Sequence, residues 1–318
     1  MSAIRIIKNR SDIGAGTRGS DMGVDAIEIA AINQGSNYFD LFDFEDVITE
    51  NESIYNKKNN SFAKRIESVF NQCKRLSNHV KVNLQEGRFP IILSGDHSSA
   101  LGTISGVKAA NLTKNIGVVW IDAHADLHSP YTSPSGNIHG MPLAAAIADD
   151  NLDYQENDID RETAEYWERM KNLGIPGQKV APENIVFFGV RDTEEPEDKL
   201  IEKNQIKNYT VEEVRYRGLK TCVNDALKKL DNCEVIYISF DVDSLDCDMI
   251  SSGTGTPVPK GFDQYEVINI IKNLLSSNKV VCLEFVEINP LLDYKGNKMA
   301  ETAFEILSEV TKEIEKLP

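Results

Sequence analysis

The segment Asp122-Ala-His-Ala-Asp126 directly follows an apolar run and groups three side chains of the kind that bind metal ions. On an extended backbone every second side chain points to the same side, so Asp122, His124 and Asp126 share one face. Asp241 and Asp243 follow a second apolar run with the same spacing. Clustered carboxylates repel one another unless positive charge lies among them. The pattern predicts a pair of divalent cations, and mixed oxygen and imidazole ligands suit manganese or a similar ion.

Short apolar runs alternate with helical patterns along the chain, which predicts a doubly wound α/β fold. The runs are mostly apolar, as in parallel strands that are covered on both faces. The predicted strands are Ile4–Ile7, Phe89–Leu93, Ile116–Ile121, Ile185–Val190, Val235–Phe240 and Val280–Phe285. The predicted helices are Ser61–Glu86, Arg161–Asn172, Val211–Leu230, Gln264–Leu275 and Ala300–Lys316. We expect one three-layer domain over residues 1–318, with helices on both faces of a mostly parallel sheet.

Polar residues follow five of the predicted strands at the point where each strand ends. They are Asp96-His97, Asp122, Arg191-Asp192, Asp241 and Glu287. Open α/β sheets bind their ligands outside the carboxyl ends of the strands. A lone Asp-x-His-x-Asp is more often a solvated loop than a metal site. The five coincident positions favour a site at this edge of the sheet.

The composition narrows the possible partners of the protein. A formal charge of −16 argues against nucleic acid, since little would neutralise phosphates. The surplus acid can draw cationic substrates to an acidic pocket, or it can simply keep the protein soluble. The five cysteines are odd in number and lack a C-x-x-C pair, which is typical of a reduced cytosolic protein. Without a signal peptide or an apolar stretch of bilayer length, we expect a cytoplasmic protein with no membrane contact.

Four segments resemble the motifs of the ureohydrolases, in the same order and at similar spacing. They are Ser94-Gly-Asp-His-Ser98, Asp122-Ala-His-Ala-Asp126, the segment Ser239 to Asp246, and Glu287-Ile-Asn-Pro290. That family comprises arginase, agmatinase, formiminoglutamase and their relatives. The resemblance covers nearly the whole chain. Within the family the chain looks most like the arginases, because the loop Ser133 to Leu143 resembles the one that binds the α-amino and α-carboxylate groups of arginine.

The resemblance implies two Mn²⁺ ions per subunit. The implied ligands of the first ion are His97, Asp122, Asp126 and Asp241, and those of the second are His124, Asp122, Asp241 and Asp243. A hydroxide between the ions would attack the guanidinium carbon, oriented by Asp126. His139 would be the proton shuttle and Glu287 the partner of the guanidinium. The implied substrate contacts are His128, Ser135, Asn137, Asp192 and Glu194 at the amino-acid end, and Thr256 in the guanidinium pocket.

The function implied by the resemblance is hydrolysis of L-arginine to L-ornithine and urea by a homotrimer or homohexamer. Arginases commonly have Asn where His128 stands and Asp where Glu194 stands. Agmatine, or another guanidino or formimino acid, therefore stays open as the substrate. A third interpretation is a non-catalytic binding protein with the same fold. Such a protein would usually have lost metal ligands, whereas all six are present here.

Overall fold

The computed structural model describes residues 4–56 and 61–317. Its strands are β1 (Ile4–Asn9), β2 (Phe44–Asp46), β3 (Phe89–Ser94), β4 (Ile116–Ile121), β5 (Ile185–Phe188), β6 (Lys207–Tyr209), β7 (Val235–Asp241) and β8 (Val280–Val286). Within the described ranges these eight strands form one sheet in the order β2-β1-β3-β8-β7-β4-β5-β6. Every strand pair is parallel. The predicted α/β fold is confirmed, and the sheet is parallel throughout rather than in most of its pairs.

Helices cover both faces of the sheet. They are α1 (Gly23–Asn33), α2 (Tyr38–Leu41), α3 (Ile66–Gln85), α4 (Ala100–Ala110), α5 (Pro142–Ile147), α6 (Arg161–Lys171), α7 (Glu195–Asn204), α8 (Val211–Arg217), α9 (Leu219–Lys229), α10 (Gln264–Leu275) and α11 (Lys298–Ile314). The core on one face includes α1 and α8 to α11, and the core on the other face includes α3 to α6. No helix in the described part of the chain is both long and apolar enough to cross a membrane.

Alternation along the strands supplies both cores. Val119 and Ile121 of β4 point into the first core, while Val118 and Trp120 point into the second. Because successive side chains of a strand point to opposite faces, a strand that is buried on both sides must be apolar at nearly every position. This requirement explains why the six apolar runs were recognisable as strands.

Three of the differences between the predicted and observed elements have a reason in the backbone. Gly189 has a φ of 91° and ends β5 before Val190. Gly218 has a φ of 88° and divides the helix predicted over Val211–Leu230 into α8 and α9. Arg65 has a φ of 59°, so α3 begins at Ile66 and not at Ser61. A left-handed residue interrupts a strand or an α-helix, whose residues have negative φ.

Candidate metal centre and substrate pocket

Neighbouring strands bring the two acidic motifs together. In the register of β4 and β7, Ile121 pairs with Phe240. Asp122 and Asp241 therefore leave adjacent strands side by side at the carboxyl edge of the sheet. His97 lies just beyond β3 in a short 3₁₀ helix, His97–Ser99. β3 and β7 flank β8. The site thus forms on the central strands, where the backbone is held on both sides.

His97 is the centre of the first group of candidate metal ligands. Its Nδ1 atom lies 3.0 Å from Asp122 Oδ2, 3.0 Å from Asp126 Oδ2 and 3.1 Å from Asp241 Oδ2. One ring nitrogen cannot donate its single proton to three oxygens at once. Within the described residues, His97 Nδ1 and Asp122 Oδ2 are buried polar atoms that lack a hydrogen bond of acceptable geometry. A cation among these four side chains would satisfy both atoms.

The second group of candidate ligands shares Asp122 with the first. The possible ligand atoms of Asp122, His124 and Asp243 all lie within 4.8 Å of one another, as do those of His97, Asp122 and Asp241. His124 Nδ1 lies 2.9 Å from Asp243 Oδ2. Thr256 Oγ1 donates a hydrogen bond to the same Asp243 oxygen at 3.0 Å. Thr256 is therefore in contact with the candidate metal centre as well as lining the pocket.

Electrostatic repulsion within the cluster favours a cationic ligand. Burial, aided by the charges of Asp243 and Asp122, raises the pKa of Asp241 well above its usual range. Burial and Asp122 likewise raise the pKa of Asp126 and of Asp243. Burial opposes the ionisation of Asp122 too, but hydrogen bonds with His124 and His97 hold its pKa below the usual range. Three of the four carboxylates thus resist being charged together, and divalent cations remove that penalty. The donor set fits a pair of such ions.

Burial separates Asp126 from the other three carboxylates. Its side chain is 10% exposed, whereas those of Asp122, Asp241 and Asp243 are only 1–3% exposed. Asp126 lines the pocket, as do the less exposed Asp241 and Asp243. Of the four carboxylates, it is the best placed to meet a small molecule as well as a metal ion.

A hydrogen-bonded pair, His139 and Glu287, stands beside the candidate ligands. His139 Nδ1 lies 3.0 Å from Glu287 Oε1, which also accepts a hydrogen bond from the backbone N–H of His97 at 2.9 Å. Burial opposes the charged form of His139, but Glu287 outweighs it and raises the pKa of His139 to about 9. Burial likewise opposes the ionisation of Glu287, but His139 holds the pKa of that carboxyl below its usual range. Among the described residues, no group forms a hydrogen bond with Nε2 of His139 or Oε2 of Glu287, so both atoms are available to a ligand.

The outer part of the pocket is lined by the predicted substrate contacts His128, Ser135, Asn137, Asp192 and Glu194. His128 Nε2 lies 2.8 Å from Glu194 Oε2, and its Nδ1 lies 3.1 Å from Thr132 Oγ1. Asp192 Oδ2 is 3.7 Å from Nε2 of the candidate metal ligand His124, and its side chain is largely exposed. All of the predicted site residues except Asp122 line one cavity, and the fully buried Asp122 lies behind it in contact with His97.

Three residues that support the site were not among the predicted ones. Ser239 Oγ lies 2.8 Å from His97 Nε2, and the Trp120 ring stacks on the imidazole with 4.1 Å between centroids. Glu197 accepts a hydrogen bond from the backbone N–H of Leu127 at 3.0 Å. Ser239 was recognisable in principle, because it lies two residues before Asp241 on one strand and so shares its face. Glu197 was recognisable as the third residue after the N-cap Glu194, since both are in a capping box.

The fold and this cluster define an α/β protein with a candidate two-metal site at the carboxyl edge of its sheet. A model of the Arginase family matches residues 2–312. The arginase of Bacillus subtilis is 35% identical over 306 residues, which is 96% of each chain. The structure of arginase from Bacillus caldovelox matches with a TM-score of 0.82 at 32% identity, over 98% of each chain. Arginase from Entamoeba histolytica, solved with L-ornithine, gives a TM-score of 0.80 at 26% identity, over 98% of this chain and 99% of the other.

The chain belongs to the arginase family. The resemblance to the ureohydrolases is thereby confirmed, and with it the prediction of an arginase-like hydrolase.

Proposed function

We propose that this chain hydrolyses L-arginine to L-ornithine and urea, using two Mn²⁺ ions. The observation that carries this proposal is the pair of ligand groups that share Asp122 at the floor of one pocket. The outer wall of that pocket carries both hydrogen-bond donors and carboxylates, as recognition of an amino acid requires. The similar proteins named arginase support the choice of reaction.

The residues that would hold the first ion are His97, Asp122, Asp126 and Asp241. Those that would hold the second are His124, Asp122, Asp241 and Asp243. Two divalent cations lower the pKa of water, and so supply hydroxide near neutral pH. Imidazole together with carboxylate oxygen is a donor set that suits manganese.

Glu287 and His139 would act on the substrate directly. Glu287 keeps Oε2 for the guanidinium, whose N–H groups match a carboxylate. His139 holds its Nδ1 against Glu287, so its Nε2 faces the leaving amine and can transfer a proton to that nitrogen. The hydrogen bond with Glu287 raises the pKa of His139 and so favours the form that carries this proton. Asp126, which is exposed to the cavity, would accept a hydrogen bond from the attacking water and orient it.

The amino-acid end of the substrate would lie among His128, Ser135, Asn137, Asp192 and Glu194, with Thr256 nearer the guanidinium. One observation favours a second candidate substrate. Glu194 is paired with His128 at 2.8 Å, so an α-ammonium group must compete with His128 for that carboxylate. A guanidino acid without an α-amino group avoids the competition. Agmatine, which has no carboxylate, leaves the donors of this end without a partner.

Two further proposals concern the oligomeric state of the protein and its location in the cell. We infer a homotrimer or homohexamer in the cytoplasm, on the strength of the resemblance to the ureohydrolases. Light scattering on the purified, manganese-loaded protein measures the assembly directly, and a monomer would contradict it.

The test of function is urea release by manganese-loaded protein with L-arginine, agmatine and 4-guanidinobutanoate supplied side by side. We expect the highest kcat/KM with L-arginine. A preference for 4-guanidinobutanoate would show that the His128–Glu194 pair rejects the α-ammonium, and a preference for agmatine would contradict the proposed recognition of a carboxylate. No urea from any of the three would contradict the proposed reaction.

A further inference from the structure

Two adjacent basic residues connect the loops that form the rim of the pocket. Arg65 donates from Nε to the carbonyl of Ile13 at 2.6 Å and from Nη2 to the carbonyl of Ala15 at 3.0 Å. The backbone N–H of Lys64 donates to the carbonyl of Gly136 at 2.8 Å. Because the backbone at Arg65 is left-handed, Lys64 and Arg65 can form hydrogen bonds with different loops. The segment before α3 therefore holds both the loop around residue 14 and the loop around residue 136.

Lys64 makes a second contact with the latter loop, through its side chain. Its Nζ donates a hydrogen bond to Asn137 Oδ1 at 3.1 Å. An ammonium group has donors only, so the amide oxygen of Asn137 must face it. The two N–H groups of Nδ2 are then directed away from Lys64. Lys64 is exposed and lies behind Asn137, so it acts on the pocket through that amide.

The Nδ2 group of Asn137 is free to bind a ligand. Within residues 4–56 and 61–317, no atom accepts a hydrogen bond from Nδ2 in the structure. Gly16 lies beside it, and a Cβ added at that glycine would come within 2.5 Å of Nδ2. Because glycine has no side chain, space remains next to the donor. Ser135, whose hydroxyl accepts from the Asn137 N–H at 3.2 Å, stands on the same loop.

The charges around the outer pocket match a zwitterion. Asp192 and Glu194 provide negative charge on one wall, with side chains 65% and 54% exposed. Lys64 provides positive charge beside a second part of the wall, which Ser135 and Asn137 line. An ammonium group would be drawn to the first wall and a carboxylate to the second.

We propose that Lys64 is a positioning residue that makes the pocket selective for substrates with a carboxylate at the amino-acid end. It fixes the Asn137 amide with Nδ2 turned away from Lys64 and next to Gly16, where the donor can meet a carboxylate, and it adds positive charge on this side of the pocket. This inference rests on the proposed function. It concerns binding of one end of the substrate, so it predicts a change in KM and little change in kcat.

The experiment compares wild type with Lys64→Met, which loses both charge and hydrogen bond, and with Lys64→Gln, which keeps a donor. Lys228→Met, an exposed lysine on α9, is the matched control for loss of one positive charge. Exposed interactions of this kind are modest, so we expect the KM for L-arginine to rise about two- to fivefold in Lys64→Met at low salt. We expect kcat to stay within about twofold of wild type and Lys64→Gln to be intermediate.

A second readout needs no turnover. Calorimetry on the manganese-loaded proteins gives the affinity for L-ornithine and for 1,4-diaminobutane, which differ only by the carboxylate. We expect Lys64→Met to weaken L-ornithine alone, and high salt to shrink the difference from wild type. Equal weakening of both compounds, or unchanged binding of both, would overturn the role of Lys64. Urea release by the wild type tests the proposed function separately. The ratio of the affinities for L-ornithine and 1,4-diaminobutane can be measured even in a protein that releases no urea.

Discussion

Two residues of the candidate site have a backbone conformation that their side chains disfavour. Asp126 has a φ of 52° and Glu287 a φ of 67°. Aspartate adopts a positive φ more readily than most residues do. Glutamate, whose longer side chain does not form the same local hydrogen bonds, adopts it less readily. The surroundings hold both residues: the N–H of Glu287 donates to Gly95 O at 2.7 Å, and Asp126 O accepts from Leu143 N at 3.2 Å. The strain aims two carboxylates into one cavity from different loops.

Asp126→Asn changes the chemistry of the side chain and leaves the backbone conformation at this position unchanged. Asn is as tolerant of positive φ as Asp, so the fold should persist. The amide loses the negative charge that would hold a metal ion and accept a proton. We expect urea release to fall by at least about a hundredfold and manganese content to drop, as activity and elemental analysis would show. Asp231→Asn, at an 89% exposed side chain, is the matched control. Full activity of Asp126→Asn would contradict its assignment as a ligand.

The residues that carry chemistry were easier to predict than those that support them. Asp122, His124 and Asp126 lie in one short motif, so the sequence indicates that they act together, but the predicted strand face is wrong. β4 ends at Ile121 and Asp126 has a φ of 52°, so a bent loop and not an extended strand brings the three side chains together. The contact of Lys64 with Asn137 joins positions 73 apart in sequence, through an exposed lysine that resembles any other. Such a contact depends on how two loops pack, and no local pattern contains that information.

At the level of elements, strands with both faces buried were predictable and edge strands were not. Ile116–Ile121 and Gln264–Leu275 have the predicted bounds. β2 and β6 were missed because each has only three residues, and they occupy the two edges of the sheet. α4 was missed because it is buried nearly all round, so its sequence lacks the polar face that marks a surface helix. That residues 1–318 form a single domain remains a prediction.

Gly136→Ala tests whether the loop around residue 136 sets substrate affinity. Gly136 has a φ of 69°, and a Cβ there would lie 2.1 Å from the carbonyl oxygen of Ser61. The added methyl group must push the loop with Ser135 and Asn137 away from the segment before α3. We expect the KM for L-arginine to rise about tenfold, measured by urea release, because a small misplacement weakens binding strongly.

Gly87→Ala is the control for that variant. Gly87 has a φ of 72°, and a Cβ there would meet no atom within 4 Å. Both substitutions carry the cost of a left-handed alanine, about 1 kcal/mol, which thermal unfolding would show. Only Gly136→Ala adds a clash, so only it should change KM. An equal KM in both variants would mean that the loop position does not govern binding.

At the scale of the molecule, the acidic cluster should couple metal binding to stability. The native state gathers four carboxylates that repel one another, whereas the unfolded chain separates them. A metal that binds only the native state stabilises it by about 2.7 kcal/mol at a free concentration one hundred times its Kd. We expect manganese to raise the Tm of chelator-treated protein by several degrees, in scanning calorimetry. The shift should be smaller at low pH, where protons compete for the ligands.

Asp126→Asn again supplies a comparison for the thermal experiment. It removes one ligand and one charge, so its Tm without manganese should be equal to or above that of wild type. Its response to manganese should be weaker. A manganese-induced shift as large as that of wild type would contradict the assignment of Asp126 as a ligand. No shift in either protein would contradict a native metal site.

The order of strands in the sheet has a consequence for how the protein is made. β8 is the last strand along the chain, yet it lies in the middle of the sheet, between β3 and β7. Until it is synthesised, β2-β1-β3 and β7-β4-β5-β6 are two separate half-sheets, with His97 on one and the aspartates on the other. A ribosome-bound chain that ends before Val280 therefore lacks the strand that joins His97 to the aspartates, and only the group of Asp122, His124 and Asp243, on the directly paired strands β4 and β7, can form. Metal binding by the group that includes His97 has to wait until β8 has been synthesised.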